Sequence, residues 1–145
     1  MAKRRQILSA SKLRVLVEKR ARGRCEYCLS PQPVCGYRYH LEHIIPSSQG
    51  GSDAPTNRAL ACAACNLTKV DKTTGIDPQT GAEAKLFDPR RQDWQDHFQW
   101  AEDEETLIGL TPTGRATVAA LDLNNEFRGE ARRLWFQTGW LPFEK

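Results

Sequence analysis

The stretch YHLEHIIPSSQGGSDAPTNRALACAACNLTK, residues 39–69, sets His40, Glu42 and His43 beside a Gly-Gly loop, two asparagines and a CxxC pair. A carboxylate next to an imidazole supplies two parts of a hydrolysis. One binds a hard cation, and the other takes a proton from water near neutral pH. In a regular strand His40 and Glu42 share one side and His43 takes the other, an alternation that can break near a strand end such as the one before Pro46. Asn57 and Asn66 add neutral oxygens, able to pin a loop or to ligate Mg²⁺.

Of five cysteines, four form the pairs Cys25/Cys28 and Cys62/Cys65, and Cys35 is left over in a proline-containing loop as a free thiol. Two thiolates of a CxxC turn reach one tetrahedral Zn²⁺, and two such turns complete a four-cysteine site closed to substrate. Zinc is favoured over disulfides because the chain reads as soluble, intracellular and cytoplasmic. No apolar run approaches the roughly 20 residues needed to span a bilayer. No apolar stretch follows the basic start MAKRRQILSASK, as a secretory signal requires. Structural zinc accounts for the cysteines and leaves the histidines unexplained.

An acidic residue, His, two apolar residues and Pro, then Gly-Gly, Asn, CxxCN and a Lys three further on: this pattern resembles the HNH endonucleases, with their ββα-metal fold and flanking zinc CxxC pairs. It covers roughly residues 25–72. The resemblance implies that His43 is the general base activating water against a phosphodiester, with Asn57 bracing the loop and orienting it. It implies that Glu42 and Asn66 ligate a catalytic divalent cation (Mg²⁺, Mn²⁺ or another), that Lys69 meets backbone phosphate, and that products carry 5′-phosphate and 3′-hydroxyl ends. Two positions depart from the pattern: Asn66 stands for the name-giving His, and Glu42 for the commoner Asp. Both still supply oxygen ligands.

These residues need elements to hold them. Leu13, Leu16, Val17 and Ala21 recur at helical spacing after Ser11, read as the N-cap, and Gly23 can end the helix. Its other face carries Lys12, Arg14, Lys19, Arg20 and Arg22. Residues 37–44 read as a strand, 58–62 as a short return strand, and a helix starts near Ala63. Residues 76–92, with Pro78, Gly81 and Pro89, read as a linker or surface loop. HFQWAEDEETLIGL reads as two strands around an acidic turn. Thr111-Pro112 opens a helix to about Leu123, and a last helix places Phe127, Ala131, Leu134 and Trp135 on one face, with Gly139 at its C-terminus. Trp94, Phe98, Trp100, Trp135 and Trp140 read as a C-terminal core, and His97 as structural.

The fold class is therefore α+β: a small ββα-metal (HNH) core with a zinc-binding CxxC…CxxC site, flanked by a basic N-terminal helix and a C-terminal β-hairpin plus helices. Residues 1–24 form a basic arm and helix, 25–75 the nuclease core with its zinc turns, and 76–145 an extension packed on the core.

Charge is unevenly spread. Residues 1–24 hold nine Lys or Arg, including Lys3, Arg4 and Arg5, against one acid, Glu18, while residues 102–105 are all acidic. One face suits a polyanion. Lys12, Arg14, Lys19, Arg20, Arg58 and Lys69 are the candidate contacts to nucleic acid, with double-stranded DNA as the expected partner and no membrane. Rival readings are a zinc-stabilised nucleic-acid-binding module without catalysis, and a zinc scaffold for protein partners.

Overall fold

The computed structural model describes residues 8–144; the expected contribution of Lys3, Arg4 and Arg5 lies outside them. Helix α1 (Ala10–Ala21) starts earlier than the sequence suggests. Ser9, not Ser11, is the N-cap: its backbone is extended, and its side chain accepts from the Lys12 amide. Val17 and Ala21 are buried and Leu13 packs beside them, whereas Leu16 is left exposed.

The chain next makes the first CxxC turn and a short helix, α2 (Gln32–Cys35), where Pro33 sits within the first helical turn. Strands β1 (His40–His43) and β2 (Arg58–Ala61) pair antiparallel, with Glu42 opposite Ala59 and His43 opposite Arg58. Two 3-10 turns, Ser47–Gln49 and Pro55–Asn57, fill the loop between them. Helix α3 (Ala63–Lys69) follows at once, capped by the Cys62 sulfur accepting from the Cys65 amide. This is the ββα unit expected from the pattern, with α1 packed on β2 and α3 on β1.

The extension is more ordered than a linker. Residues 76–92 hold part of a second antiparallel pair, β3 (Thr74–Ile76) with β4 (Glu83–Lys85), turning at Gly81. Asp77 locks that turn: it accepts from the Gln79 amide and the Thr80 hydroxyl, and takes two bonds of 2.9 Å from Arg115. Next come α4 (Trp94–His97) and a third pair, β5 (Phe98–Trp100) with β6 (Leu107–Gly109), as the two-strand pattern suggested. Helix α5 (Pro112–Ala120) is capped by Thr111, whose hydroxyl also lies 2.6 Å from His97 Nδ1, so His97 is structural.

Helix α6 (Glu126–Gln137) contradicts its expected orientation. Gly129 and Arg132 are its buried residues, while Phe127 is 78% and Leu134 56% exposed. A buried guanidinium sets the rotation, since Arg132 donates to the carbonyls of Leu123 and Glu105 and ties three segments together. The aromatic core forms around Trp94, Phe98 and Trp100, with neighbouring ring centroids 5.0–5.1 Å apart. Trp140 is instead in the exposed tail, where Arg24 lies against its ring. One buried apolar cluster runs from Val17 to Leu123, joining the ββα unit to the extension. Among the described residues no helix is long and apolar enough to cross a membrane.

Candidate active site and metal centre

The four sulfur atoms of Cys25, Cys28, Cys62 and Cys65 all lie within 4.8 Å of one another, and all four residues are buried. The Cys28 and Cys62 sulfurs are 3.8 Å apart. Zinc–sulfur bonds of about 2.3 Å in a tetrahedron require an S···S edge of about 3.8 Å, so the donor set fits Zn²⁺ in both chemistry and size. Cys35 lies outside this cluster, exposed, with its sulfur accepting from the Tyr39 hydroxyl. Arg128, on α6, donates to Cys65 Sγ at 2.8 Å. The guanidinium faces a centre that would hold four thiolates against two metal charges, a role the sequence pattern did not reveal.

The residues inside the first CxxC turn carry the zinc site's order outward. The Glu26 amide donates to the Leu60 carbonyl and its carboxylate accepts from the Leu60 amide, fastening the turn to β2. Tyr27 accepts on its carbonyl from the Trp94 indole, and its hydroxyl donates to Glu42 Oε2 at 2.6 Å. The second turn places Asn66 immediately after Cys65.

Glu42 is 6% exposed. Its other oxygen, Oε1, forms an ion pair at 2.5 Å with the Lys69 ammonium, without the angles of a hydrogen bond. Burial pushes the Glu42 carboxyl up, and the Lys69 charge pulls it back down. Lys69 is therefore not at the phosphate-facing place expected for it. It is 1% exposed, and its ammonium also donates to the Ile44 carbonyl at 3.0 Å. A long side chain at the last turn of α3 reaches back under β1 because Glu42 is buried there.

Asn57 lies at the base of the loop between the strands. Its amide accepts from the Ile45 amide and donates to the carbonyls of Ile45 and Ser52, fixing both ends of the Gly-Gly segment. Gly51 is needed for that closure, since a Cβ there would stand 1.7 Å from the Ile45 carbonyl oxygen. The loop so held brings Asp53 Oδ1 to 2.7 Å from His43 Nε2. The imidazole hydrogen bond holds the Asp53 carboxyl below its usual range.

A cleft of about 310 Å³ has Arg14, His40, Glu42, His43 and Asn66 among its lining residues. Strand alternation thus does not separate His43 from Glu42, because both border one opening next to the strand end. The Glu42 and Asn66 oxygens there suit a hard cation, but few protein donors are present and Lys69 already neutralises Glu42. A divalent ion would complete its shell with water and phosphate.

The basic stripe of α1 divides by function. Arg14 reaches the cleft, held by Glu18 at 3.1 Å and the Tyr39 carbonyl at 3.0 Å. Arg20 is consumed by structure, donating to the Pro55 and Arg58 carbonyls and so bracing the loop against α1. Lys12 and Lys19 are exposed. Arg58 is mostly buried, donating to the Leu41 carbonyl with Nη1 at 3.3 Å from His43 Nε2. Tyr27, Asp53 and Arg128 were absent from the sequence reading, because they lie outside the motif or depend on contacts between distant segments.

Residues 25–72, about a third of the chain, match the family model described as HNH endonuclease. Among curated proteins and among solved structures the chain has no significant match. The matched segment holds the four-cysteine cluster and all of the cleft's lining except Arg14 and is similar to an HNH endonuclease domain, which supports a nuclease-like, nucleic-acid-related function in general.

Proposed function

We propose that the protein is a metal-dependent endonuclease that hydrolyses phosphodiester bonds in DNA, with one zinc ion held structurally by Cys25, Cys28, Cys62 and Cys65. The observation that carries this reading is the single cleft in which a histidine, a carboxylate, a neutral amide and an arginine meet. His43 takes the proton of the attacking water as a new P–O bond forms and the P–O3′ bond breaks. Glu42 and Asn66 hold the catalytic Mg²⁺ or Mn²⁺, which when bound offsets charge on the phosphoryl and leaving oxygens. Arg14 lies where it can neutralise a non-bridging phosphate oxygen, and exposed Lys12 and Lys19 extend the positive surface along α1. Asn57 keeps the loop beside His43 tied at Ile45 and Ser52.

A nicking assay on supercoiled double-stranded plasmid with Mg²⁺ or Mn²⁺ tests this. Wild type should nick or linearise the plasmid, and His43→Ala should lose at least about 100-fold in turnover with DNA affinity nearly unchanged. Retention of more than about a tenth of the turnover would remove His43 from the role of base.

One observation favours a second reading, a nucleic-acid-binding module without catalysis. Both Glu42 oxygens already have partners, Tyr27 and Lys69, and the side chain is 4% exposed. Salt-dependent plasmid binding without cleavage in either metal would select this reading over the first.

A further inference from the structure

His43 Nε2 has two rivals. The Asp53 carboxylate lies at 2.7 Å and can only accept, whereas Arg58 Nη1 lies at 3.3 Å and can only donate. The first arrangement requires a proton on Nε2 and leaves the Nδ1 lone pair free. The second requires the Nε2 lone pair and puts the proton on Nδ1. Nδ1 takes no hydrogen bond from the described residues.

We propose that Asp53 is the positioning residue that selects the Nε2–H tautomer of His43 against Arg58, leaving Nδ1 as the nitrogen that accepts the water proton. The inference rests on the nuclease reading above only for its kinetic consequence. Three features of the structure support it. The Asp53 contact is the shorter of the two. The loop carrying Asp53 is pinned from both ends by Asn57, and Gly51 lets it pass against the Ile45 carbonyl where any side chain would clash. Arg58 is itself restrained by the Leu41 carbonyl and stands 3.7 Å from Asp53 Oδ1, so carboxylate, guanidinium and ring nitrogen form a tight triangle in which the anion faces both cation and ring. When Nδ1 takes the proton from water, the ring becomes cationic beside Arg58, and Asp53 offsets that repulsion. In this step the water proton goes to Nδ1, the water oxygen bonds phosphorus, the P–O3′ bond breaks, and the 3′ oxygen leaves with the electron pair and takes a proton from solvent.

Asp53 is 87% exposed at its side chain, so its replacement should leave the fold intact. The test compares wild type, Asp53→Ala, Asp53→Glu, Arg58→Met and the Asp53→Ala/Arg58→Met double variant. Nitrogen-15 NMR of the zinc-loaded protein, without Mg²⁺ and at a pH where the ring is neutral, reads the tautomer. His43→Ala assigns its signals against those of His40 and His97. Wild type and Asp53→Glu should show Nε2–H, and Asp53→Ala should shift to Nδ1–H. On plasmid, Asp53→Ala should lower kcat at least tenfold with KM changed less than twofold, and Arg58→Met in the same chain should recover most of the loss.

The proposal is overturned if Asp53→Ala keeps the Nε2–H signature. It is equally overturned if kcat rises, since the carboxylate would then be blocking the base nitrogen. Should wild type cleave nothing, the nuclease reading fails, and the NMR comparison still decides whether Asp53 sets the tautomer.

Discussion

Arg128 Nη2 stands 2.8 Å from Cys65 Sγ and 3.8 Å from Cys62 Sγ, joining the last helix to the zinc turn that directly precedes Asn66. The same side chain donates to the Leu121 carbonyl at 2.8 Å, so one guanidinium links α3, the end of α5 and α6. The extension is thus part of the metal centre's surroundings. Hydrogen bonds to metal-bound thiolates typically alter affinity about 10- to 100-fold. Arg128→Leu should therefore release zinc to a colorimetric chelator about 10-fold faster or more, and equal release rates would show that the contact contributes nothing to metal retention.

Lys69 and Glu42 yield a second prediction, because their burial separates two roles that sequence alone could not. Removing one partner of a buried ion pair strands the other charge, at a cost of about 3–5 kcal/mol. Lys69→Met should lower the urea midpoint accordingly while leaving the salt dependence of DNA binding as in wild type. A shallower salt slope with unchanged stability would restore the phosphate-facing role instead.

Asp77 gives a pH signature. It is buried, and the hydrogen bonds from Arg115 hold its carboxyl well below the usual carboxylate range. An acid whose folded value lies below its unfolded value, about 3.9, stabilises the fold fully above the unfolded value. That contribution is lost as pH falls through the folded value. The gap in urea midpoint between wild type and Asp77→Asn should be constant above about pH 5 and shrink below about pH 4. A gap that does not depend on pH would mean the ionised carboxylate is not what holds β3 to α5.

Legibility from sequence followed the range of the contacts involved. The CxxC turns, the loop glycines and the Thr111-Pro112 helix start are local devices, so spacing alone located them. The β1–β2–α3 order was legible for the same reason. The β3–β4 pair was not, because its strands are three residues each and Pro78 and Gly81 look like a loop until Asp77 and Arg115 meet across 38 positions. Helix α6 misled because Phe127 and Leu134, two of its apolar residues at helical spacing, face outward, and a buried arginine, which no hydrophobic pattern marks, faces inward. At the site, the motif located His43 at the strand end and Asn57 at the base of the loop. Asp53 became visible only once Asn57 had been seen to fold the loop back, and Lys69 only once Glu42 had been seen to be buried.

The last prediction concerns whether two metals perform two tasks. Four buried cysteine sulfurs within 4.8 Å of one another make a closed site, and a structural Zn²⁺ of this kind contributes on the order of 10 kcal/mol to folding. The cleft offers Glu42 and Asn66 with Lys69 alongside, few donors for a cation that must also admit phosphate and water. Mild chelation should therefore abolish cleavage while circular dichroism and zinc content stay constant, and added Mg²⁺ or Mn²⁺ should restore it. Glu42→Gln should also stop cleavage with zinc retained, but it strands the buried Lys69 charge and should lower the urea midpoint about as much as Lys69→Met does. Cys62→Ser should instead lose zinc and thermal stability together, and with them the placement of Asn66. Persistence of cleavage in excess chelator with zinc still bound would remove the second ion from the chemistry. Loss of activity, zinc and fold at one chelator concentration would mean that a single metal serves both the fold and the reaction.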